Sequence, residues 1–200
     1  MQARRTQLIL KTICVYAASS DAVDQVYVDA AERLGVLIAE HGHTLVYGAG
    51  SVGLMGVCAR AVHARGGGGR VVGVIPDKLV DLELAYHDAD ELVVTTTMSE
   101  RKRIMAERAD AFVALPGGFG TIEEIIEVLV LKQLWYHEKP CVFLNVNGIY
   151  DHLFRFFDAL VAAHFIKDSH KQLYHVCDTP EAAYAYLDAY TPAPAHGKWF

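Results

Sequence analysis

The residues with the clearest capacity for chemistry follow a glycine-rich turn. The turn comes after an apolar run at 111–115 and opens a long helical pattern; it consists of Pro116, Gly117, Gly118, Phe119, Gly120 and Thr121. Glycines let the backbone approach a ligand closely, and the unpaired N–H groups of a helix start bind anions, most often phosphate. Glu123 and Glu124 stand directly behind the turn. We therefore predict a phosphate-binding turn, with Thr121 at the helix start and an acid within reach of the bound molecule.

The two acids cannot share one role. Adjacent helical residues point about 100° apart, so Glu123 and Glu124 cannot both face one ligand. Each could instead be placed favourably against the helix dipole, which is worth about 0.3–1 kcal/mol. That alternative explains an acid in the first turn but not its position behind a phosphate-type turn. Further along, the helix is apolar nearly all round, which predicts burial on more than one side, with a subunit as the cover.

A second cluster opens the preceding helix. Thr97 and Glu100 form a T-x-x-E capping box, and Arg101 and Lys102 follow. Arg101 shares a helical stripe with Met98. It could lay its stem on apolar surface with its head in water, or it could bind phosphate or carboxylate through its planar fork. The sequence leaves both interpretations open.

A third turn fits the dinucleotide fingerprint G-x-G-x-x-G through Gly48, Gly50 and Gly53. Asp77 lies roughly where an acid that binds ribose is expected. However, the fingerprint normally follows the first strand of a sheet, whereas a whole strand–helix unit precedes it here. Phosphate binding and a tight turn with close helix packing both remain open, and an NAD enzyme is a distant alternative.

These turns require a sheet that brings them together. Short β-like runs alternate with helical runs along the chain; the strands lie near 12–18, 44–47, 70–75, 91–96, 111–115, 141–145 and 174–177. The alternation predicts an α/β fold, a single-domain, doubly wound parallel sheet with helices on both faces. All the motifs above then fall in turns at the carboxyl ends of strands, where such folds bind ligands. We assign 1–190 to this domain and 191–200 to a C-terminal tail.

Composition restricts the class of protein. The chain has 200 residues, 52% of them hydrophobic, enough for one domain with a sizeable core. Its formal net charge of -6 argues against nucleic acid and anionic membranes as partners. No apolar run is long enough to span a membrane, and residues 1–11 are too short and polar for a secretory signal. Four scattered cysteines indicate buried thiols of a cytoplasmic protein, and no motif supports a metal site.

Residues 45–56, 98–105 and 116–124 together resemble the LOG ("Lonely guy") family. These proteins are cytokinin riboside 5′-monophosphate phosphoribohydrolases, many of them mislabelled as lysine decarboxylases. The resemblance runs from about residue 13 past residue 180, with Ala49 in place of a usual glycine. It implies a Rossmann-like sheet, a homodimer or higher homo-oligomer, no cofactor, and hydrolysis of adenine nucleotide monophosphates to free base and ribose 5-phosphate.

The resemblance also implies roles for individual residues. Arg101 and Glu124 match the catalytic pair, and a carboxylate beneath the ribose would stabilise the positive charge that builds as the N-glycosidic bond breaks. The predicted substrate-binding residues are Gly48, Gly50, Glu83, Met98, Lys102, Gly117, Gly118, Phe119, Gly120, Thr121 and Glu123.

Three functions remain open. The protein could hydrolyse N6-substituted adenosine 5′-monophosphates, act as a broader nucleosidase on AMP and other monophosphates, or carry a nucleotide or cofactor without turnover. Arg101 with Glu124 favours the two enzymes, because a carrier has no use for a carboxylate near a bound anion.

Overall fold

A single parallel sheet of seven strands organises the computed structural model, which describes residues 12–64, 68–80 and 85–192. The strands are β1 (Thr12–Tyr16), β2 (Thr44–Tyr47), β3 (Arg70–Pro76), β4 (Glu91–Thr95), β5 (Ala111–Ala114), β6 (Cys141–Leu144) and β7 (His175–Cys177). They lie in the order β4-β3-β2-β1-β5-β6-β7, and every neighbouring pair is parallel. The predicted strands are thus all confirmed, each to within two residues at either end.

In the described part of the chain, six α-helices cover the sheet on both faces. They are α1 (Gln25–Glu40), α2 (Gly53–Ala64), α3 (Met98–Arg108), α4 (Phe119–Gln133), α5 (Asp151–Ala162) and α6 (Pro180–Ala189). Successive side chains of a strand point to opposite faces. Accordingly Ile13 and Val15 enter the core beneath α1, α2 and α6, while Cys14 and Tyr16 enter the core beneath α3, α4 and α5. The doubly wound α/β prediction is therefore confirmed.

The sheet reverses its winding at β1. Strands β2, β3 and β4 extend from one side of it, and β5, β6 and β7 extend from the other. In open α/β sheets, ligands bind in the crevice outside the carboxyl ends of the strands at this reversal. The turns that follow β1 and β5 meet here, since Ala18 N donates a hydrogen bond to Pro116 O at 3.2 Å. This is the edge that carries the glycine-rich turn.

One helix boundary differs from the prediction in a way that affects the site. Helix α4 begins at Phe119, with Gly118 as its N-cap, and not at Thr121, where the sequence analysis places the helix start. Thr121 therefore lies inside the first turn. Glycine is a poor helix former, which moves the expected start past Gly120, but the first-turn N–H groups have no partner within the helix in any case.

Two predictions fall on residues that the structure does not describe. Glu83 belongs to 81–84, and most of the expected tail belongs to 193–200; both ranges lie outside the described residues. Within the described ranges, none of the helices combines the length and the apolar character needed to cross a membrane.

Candidate active site

The start of α4 is open toward the crevice. Gly118 supplies no side-chain cap, and a Cβ added at Gly118 or Gly120 would meet no atom within 4 Å. Phe119, between them, is 94% exposed. The N–H groups of the first turn therefore face space that a ligand can enter, and the helix dipole makes that space favourable for an anion.

Gly117 has a different role from the two glycines that follow it. A Cβ at this position would overlap the hydroxyl of Thr121, and Thr121 is itself buried. The turn can fold back over its own helix only because residue 117 lacks a side chain. Gly117 thus shapes the turn, whereas Gly118 and Gly120 leave it accessible.

Arg101 and Glu124 form a nearly buried ion pair at this edge. Arg101 Nη1 donates to Glu124 Oε1 at 2.7 Å, and the two side chains are only 8% and 11% exposed. The Nε of Arg101 donates to the carbonyl of Val74 in β3 at 3.0 Å. The guanidinium is therefore held in the protein and does not extend into water, so the first of the two sequence interpretations is wrong.

The environment of Glu124 disfavours its charge. Burial raises the pKa of this carboxyl above its ordinary value, and the neighbouring Arg101 opposes the shift without cancelling it. A carboxylate that is poorly solvated but held by one arginine interacts strongly with any positive charge that develops beside it, because water screens it little. Such a group suits electrostatic stabilisation or activation of a water molecule.

Lys102 pairs with different acids. Its Nζ forms ion pairs with Glu123 and, at 2.8 Å, with Glu127. Burial alone would lower the pKa of Lys102, but these hydrogen bonds outweigh burial and the pKa lies above its ordinary value. Glu123 meets Lys102 while Glu124 meets Arg101, so the two adjacent acids contact different side chains.

Gly48 and Gly50 provide clearance for side chains of the site. A Cβ at Gly48 would overlap Nη2 of Arg101, and a Cβ at Gly50 would lie 2.7 Å from Cε of Met55. The absence of a side chain at residue 48 is therefore what allows the Arg101 guanidinium to lie against the turn. A direct contact of these two glycines with substrate stays a prediction.

The start of α2 is closed, unlike that of α4. The Oδ1 atom of Asp21, in the turn after β1, accepts a hydrogen bond from Gly53 N at 2.6 Å. Gly53 has φ +61°, and a side chain on it would overlap the backbone of Ser19. A carboxylate of the protein thus occupies the position where a pyrophosphate would bind in a dinucleotide fold. The geometry favours the tight-turn interpretation of the G-x-G-x-x-G motif. No sequence pattern indicates Asp21 as the partner of Gly53, because the two residues are 32 positions apart.

The capping box at the start of α3 differs from the prediction in one hydrogen bond. The hydroxyl of Thr97 accepts from Glu100 N at 3.1 Å, as the capping box predicts. The Glu100 carboxylate, however, accepts from the N–H of Thr96 at 2.9 Å and not from Thr97. The reciprocal bond therefore forms one residue earlier, where the Thr96 hydroxyl adds a second donor. Met98, the first residue of α3, is half exposed at this edge.

Other chemistries find no support in the described ranges. In those ranges, no three His, Cys, Asp or Glu residues converge to hold a metal ion. The residues that the structure brings together are Arg101 with Glu124 and Lys102 with Glu123, each pair joining α3 to α4. Sequence reasoning missed Asp21 and Tyr150, whose hydroxyl reaches the end of β5.

Comparison with known proteins identifies a family. The family described as "Possible lysine decarboxylase" matches residues 55–187. A cytokinin riboside 5′-monophosphate phosphoribohydrolase of Oryza sativa subsp. japonica is 42% identical over 182 residues, which cover 91% of this chain and 74% of that protein. A protein of the same name from Arabidopsis thaliana is 41% identical over 182 residues and covers 91% and 79% of the two chains.

A solved structure with a similar fold has a different described role. The molybdenum cofactor carrier protein of Chlamydomonas reinhardtii matches with a TM-score of 0.67 and 25% identity, over 89% of this chain and 96% of the carrier. The fold is thus shared by proteins described as hydrolases and by proteins described as carriers. What separates them must lie in the residues of the site.

Proposed function

The chain belongs to the LOG family of cytokinin riboside 5′-monophosphate phosphoribohydrolases, and we propose that it hydrolyses the N-glycosidic bond of N6-substituted adenosine 5′-monophosphates. Water adds across the bond between C1′ and N9: its oxygen goes to C1′ of the ribose and a proton goes to the base. The products are the free base and ribose 5-phosphate. Water is the only co-reactant in this balance.

The observation that carries this proposal is the Arg101–Glu124 pair behind the open start of α4. Phosphate would bind to the first-turn N–H groups, beside Gly118 and Gly120. Glu124 follows Phe119 by five residues, about 8 Å along the helix axis, a separation on the scale of one ribose phosphate. A nucleotide anchored by its phosphate would therefore place its sugar over the carboxylate.

Glu124 is the residue best suited to the chemical step. Breaking the bond between C1′ and N9 builds positive charge on the ribose. A carboxylate of low solvent exposure stabilises that charge and can orient or deprotonate the attacking water. Arg101 keeps Glu124 in place and would hold a substrate oxygen or assist the departing base. Lys102, paired with Glu123 and Glu127, would contribute positive charge to nucleotide binding.

The phosphate explains a preference for nucleotides over nucleosides. It is remote from the bond that breaks, so its binding energy can orient C1′ over Glu124. A nucleoside lacks that anchor and should lose kcat as well as affinity. We assign Met98 and Phe119, the exposed apolar residues at the starts of α3 and α4, to contacts with the substrate.

A product assay tests the proposal. The purified full chain is incubated separately with isopentenyladenosine monophosphate, AMP and the two corresponding nucleosides, and free base and ribose 5-phosphate are quantified. We expect base from the isopentenyl nucleotide well ahead of AMP, and none from the nucleosides. Equal release from AMP would establish a broader nucleosidase, while tight nucleotide binding without release would leave only a carrier.

We further propose that the protein is a homodimer or higher homo-oligomer. Helix α4 exposes Val130, and its C-cap residue Leu134 is also exposed. In contrast, Ile125 and Leu129 of the same helix are buried. None of the residues of α5, on the same face of the sheet, is fully buried. A second copy of the chain would remove these apolar side chains from water.

A cytoplasmic location fits the chemistry of the thiols. The cysteines at 14, 58, 141 and 177 are all free and buried. Burial raises the pKa of both Cys58 and Cys141 to about 12, so the thiols stay protonated and unreactive. Cell fractionation of the tagged full chain would test this, and recovery outside the cytoplasm would contradict it.

A further inference from the structure

Tyr150 reaches across from the turn after β6 to the glycine-rich turn. Its hydroxyl donates a hydrogen bond to the carbonyl of Leu115 at 2.6 Å, and the side chain is almost wholly buried. Burial raises the pKa of this hydroxyl, and a hydrogen bond with the backbone of Gly117 partly offsets the rise. The phenol thus stays protonated and is bonded to the residue directly before Pro116.

The turn consists of a fixed stem and an open tip. In the stem, Leu115 N donates to Tyr16 O at 2.9 Å, and Pro116 O accepts from Ala18 N at 3.2 Å. The tip, residues 118–120, has no neighbour within 4 Å of a Cβ placed at either glycine. Consequently the stem sets the direction of the tip. The Tyr150 side chain holds the stem through its hydrogen bond to Leu115.

Tyr150 is itself held from two sides. Asn145, at the end of β6, accepts a hydrogen bond from Tyr150 N at 2.8 Å, and its amide donates to Asp151 Oδ1 at 2.8 Å. The ring packs against Phe143 and Phe154 with centroid distances of 5.4 and 6.4 Å. The hydroxyl therefore has little freedom to follow the turn if the turn moves.

We propose that Tyr150 is a positioning residue that sets the glycine-rich turn for the 5′-phosphate of the substrate. The inference rests on the proposed function, since it takes that turn as the phosphate site. Tyr150 acts through Leu115 and Gly117 and touches no reacting atom. Loss of the Tyr150 hydroxyl should reduce the contribution of the phosphate to nucleotide binding. Binding of the base should be unaffected.

The variant Tyr150→Phe tests the assignment, because phenylalanine keeps the ring and removes only the hydroxyl. We expect the KM for isopentenyladenosine monophosphate to rise about tenfold, since a small displacement of a positioning group costs that much or more. The Kd of ribose 5-phosphate should rise by a similar factor, while the Kd of the free base changes less than about twofold, a difference below 0.4 kcal/mol.

Tyr184→Phe is the matched control. The Tyr184 hydroxyl also makes one partly buried hydrogen bond, to His43 Nε2 at 3.0 Å. His43, however, immediately precedes β2 and lies at the amino ends of the strands, away from the site at their carboxyl ends. A purely structural loss would lower the melting temperature of both variants and leave both KM values unchanged.

The outcomes separate the two proposals. Wild-type protein that releases no base sinks the proposed function, whereas active wild-type protein with an unaltered KM and ribose 5-phosphate affinity in Tyr150→Phe overturns the role of Tyr150 alone. If Tyr150→Phe fails to fold, Asn145→Ser takes its place. It removes the amide that holds the Tyr150 backbone but leaves the ring, and it must show the same selective loss of ribose 5-phosphate affinity.

Discussion

The carboxylate of Glu124, in the second turn of α4, and the guanidinium of Arg101, near the start of α3, are joined by a 2.7 Å hydrogen bond. Because both side chains are nearly buried, each depends on the other for its charge to be tolerated. Removal of the Arg101 guanidinium would leave the Glu124 carboxylate buried without a partner, and the loss of one partner of a buried pair costs about 3–5 kcal/mol. The pair is thus a structural element of the crevice as well as the proposed centre of the chemistry.

Glu124→Gln should retain nucleotide binding and lose hydrolysis. The amide keeps the size of the side chain but cannot stabilise a cation or accept a proton, so we expect kcat to fall by about 10²–10⁴-fold. Single-turnover assays with isopentenyladenosine monophosphate measure the loss. Glu127→Gln is the control, because this acid lies one turn further on α4 and pairs with Lys102. Turnover of Glu124→Gln near the wild-type rate would show that another group is the catalytic carboxylate.

Gly48→Ala should disable the site although it replaces no charged residue. The new methyl group would overlap Nη2 of Arg101, and the guanidinium can escape only by leaving the carbonyl of Val74 or Glu124. We expect kcat/KM to fall by about 10²-fold, the cost of a misplacement of roughly 1 Å. Gly50→Ala provides the comparison, since its methyl group would meet only the flexible end of Met55. Equal losses in the two variants would mean that the turn contacts substrate directly, and that clearance for Arg101 is not its main role.

The fold could be predicted from the sequence because its signals are local. The apolar run of Ala111–Ala114 indicates a buried strand through its composition alone. The contacts of the site are not local. Asp21 closes the start of α2 from 32 residues away, and Tyr150 bonds Leu115 from 35 residues away. No periodicity encodes either contact. The first arises only when the sheet brings together the turns after β1 and β2, and the second only when it brings together the turns after β5 and β6.

As the pH is lowered, kcat/KM should begin to fall at a pH above the ordinary pKa range of a glutamate. Burial raises the pKa of Glu124 above 4.5 despite its bond to Arg101. If the carboxylate is the active form, the acidic limb of the kcat/KM profile has its midpoint above that value. Ribose 5-phosphate binding, followed over the same range, separates this limb from the titration of the phosphate near pH 6. A limb at or below 4.5 would contradict the assignment.

The raised pKa of Glu124 also determines how the stability of the protein should change with pH. A carboxyl whose pKa is higher in the folded than in the unfolded protein adds stability below the unfolded value, and that stability is lost as the pH rises through the folded value. The free energy of unfolding of the wild type, relative to Glu124→Gln, should therefore increase as the pH falls toward 4.5. Denaturant titrations of both proteins between pH 4 and 8 would measure it. A relative stability that decreases with acid would mean that pairing with Arg101 outweighs burial.

Phe156→Glu should dissociate the assembly. Phe156 lies on α5 and is 57% exposed, whereas Leu153 and Phe154 of the same helix pack against the sheet. A second copy of the chain is the proposed cover for the outer side of α5. A charge there would have to be buried without a partner, which opposes association. Val26→Glu adds the same charge on α1, on the opposite face of the sheet, at a residue of similar exposure, 43%. Sedimentation velocity should find a dimer or larger species for the wild type and Val26→Glu, and a folded monomer for Phe156→Glu. A monomeric wild type would remove the proposed interface, and an unchanged assembly in Phe156→Glu would move it away from α5.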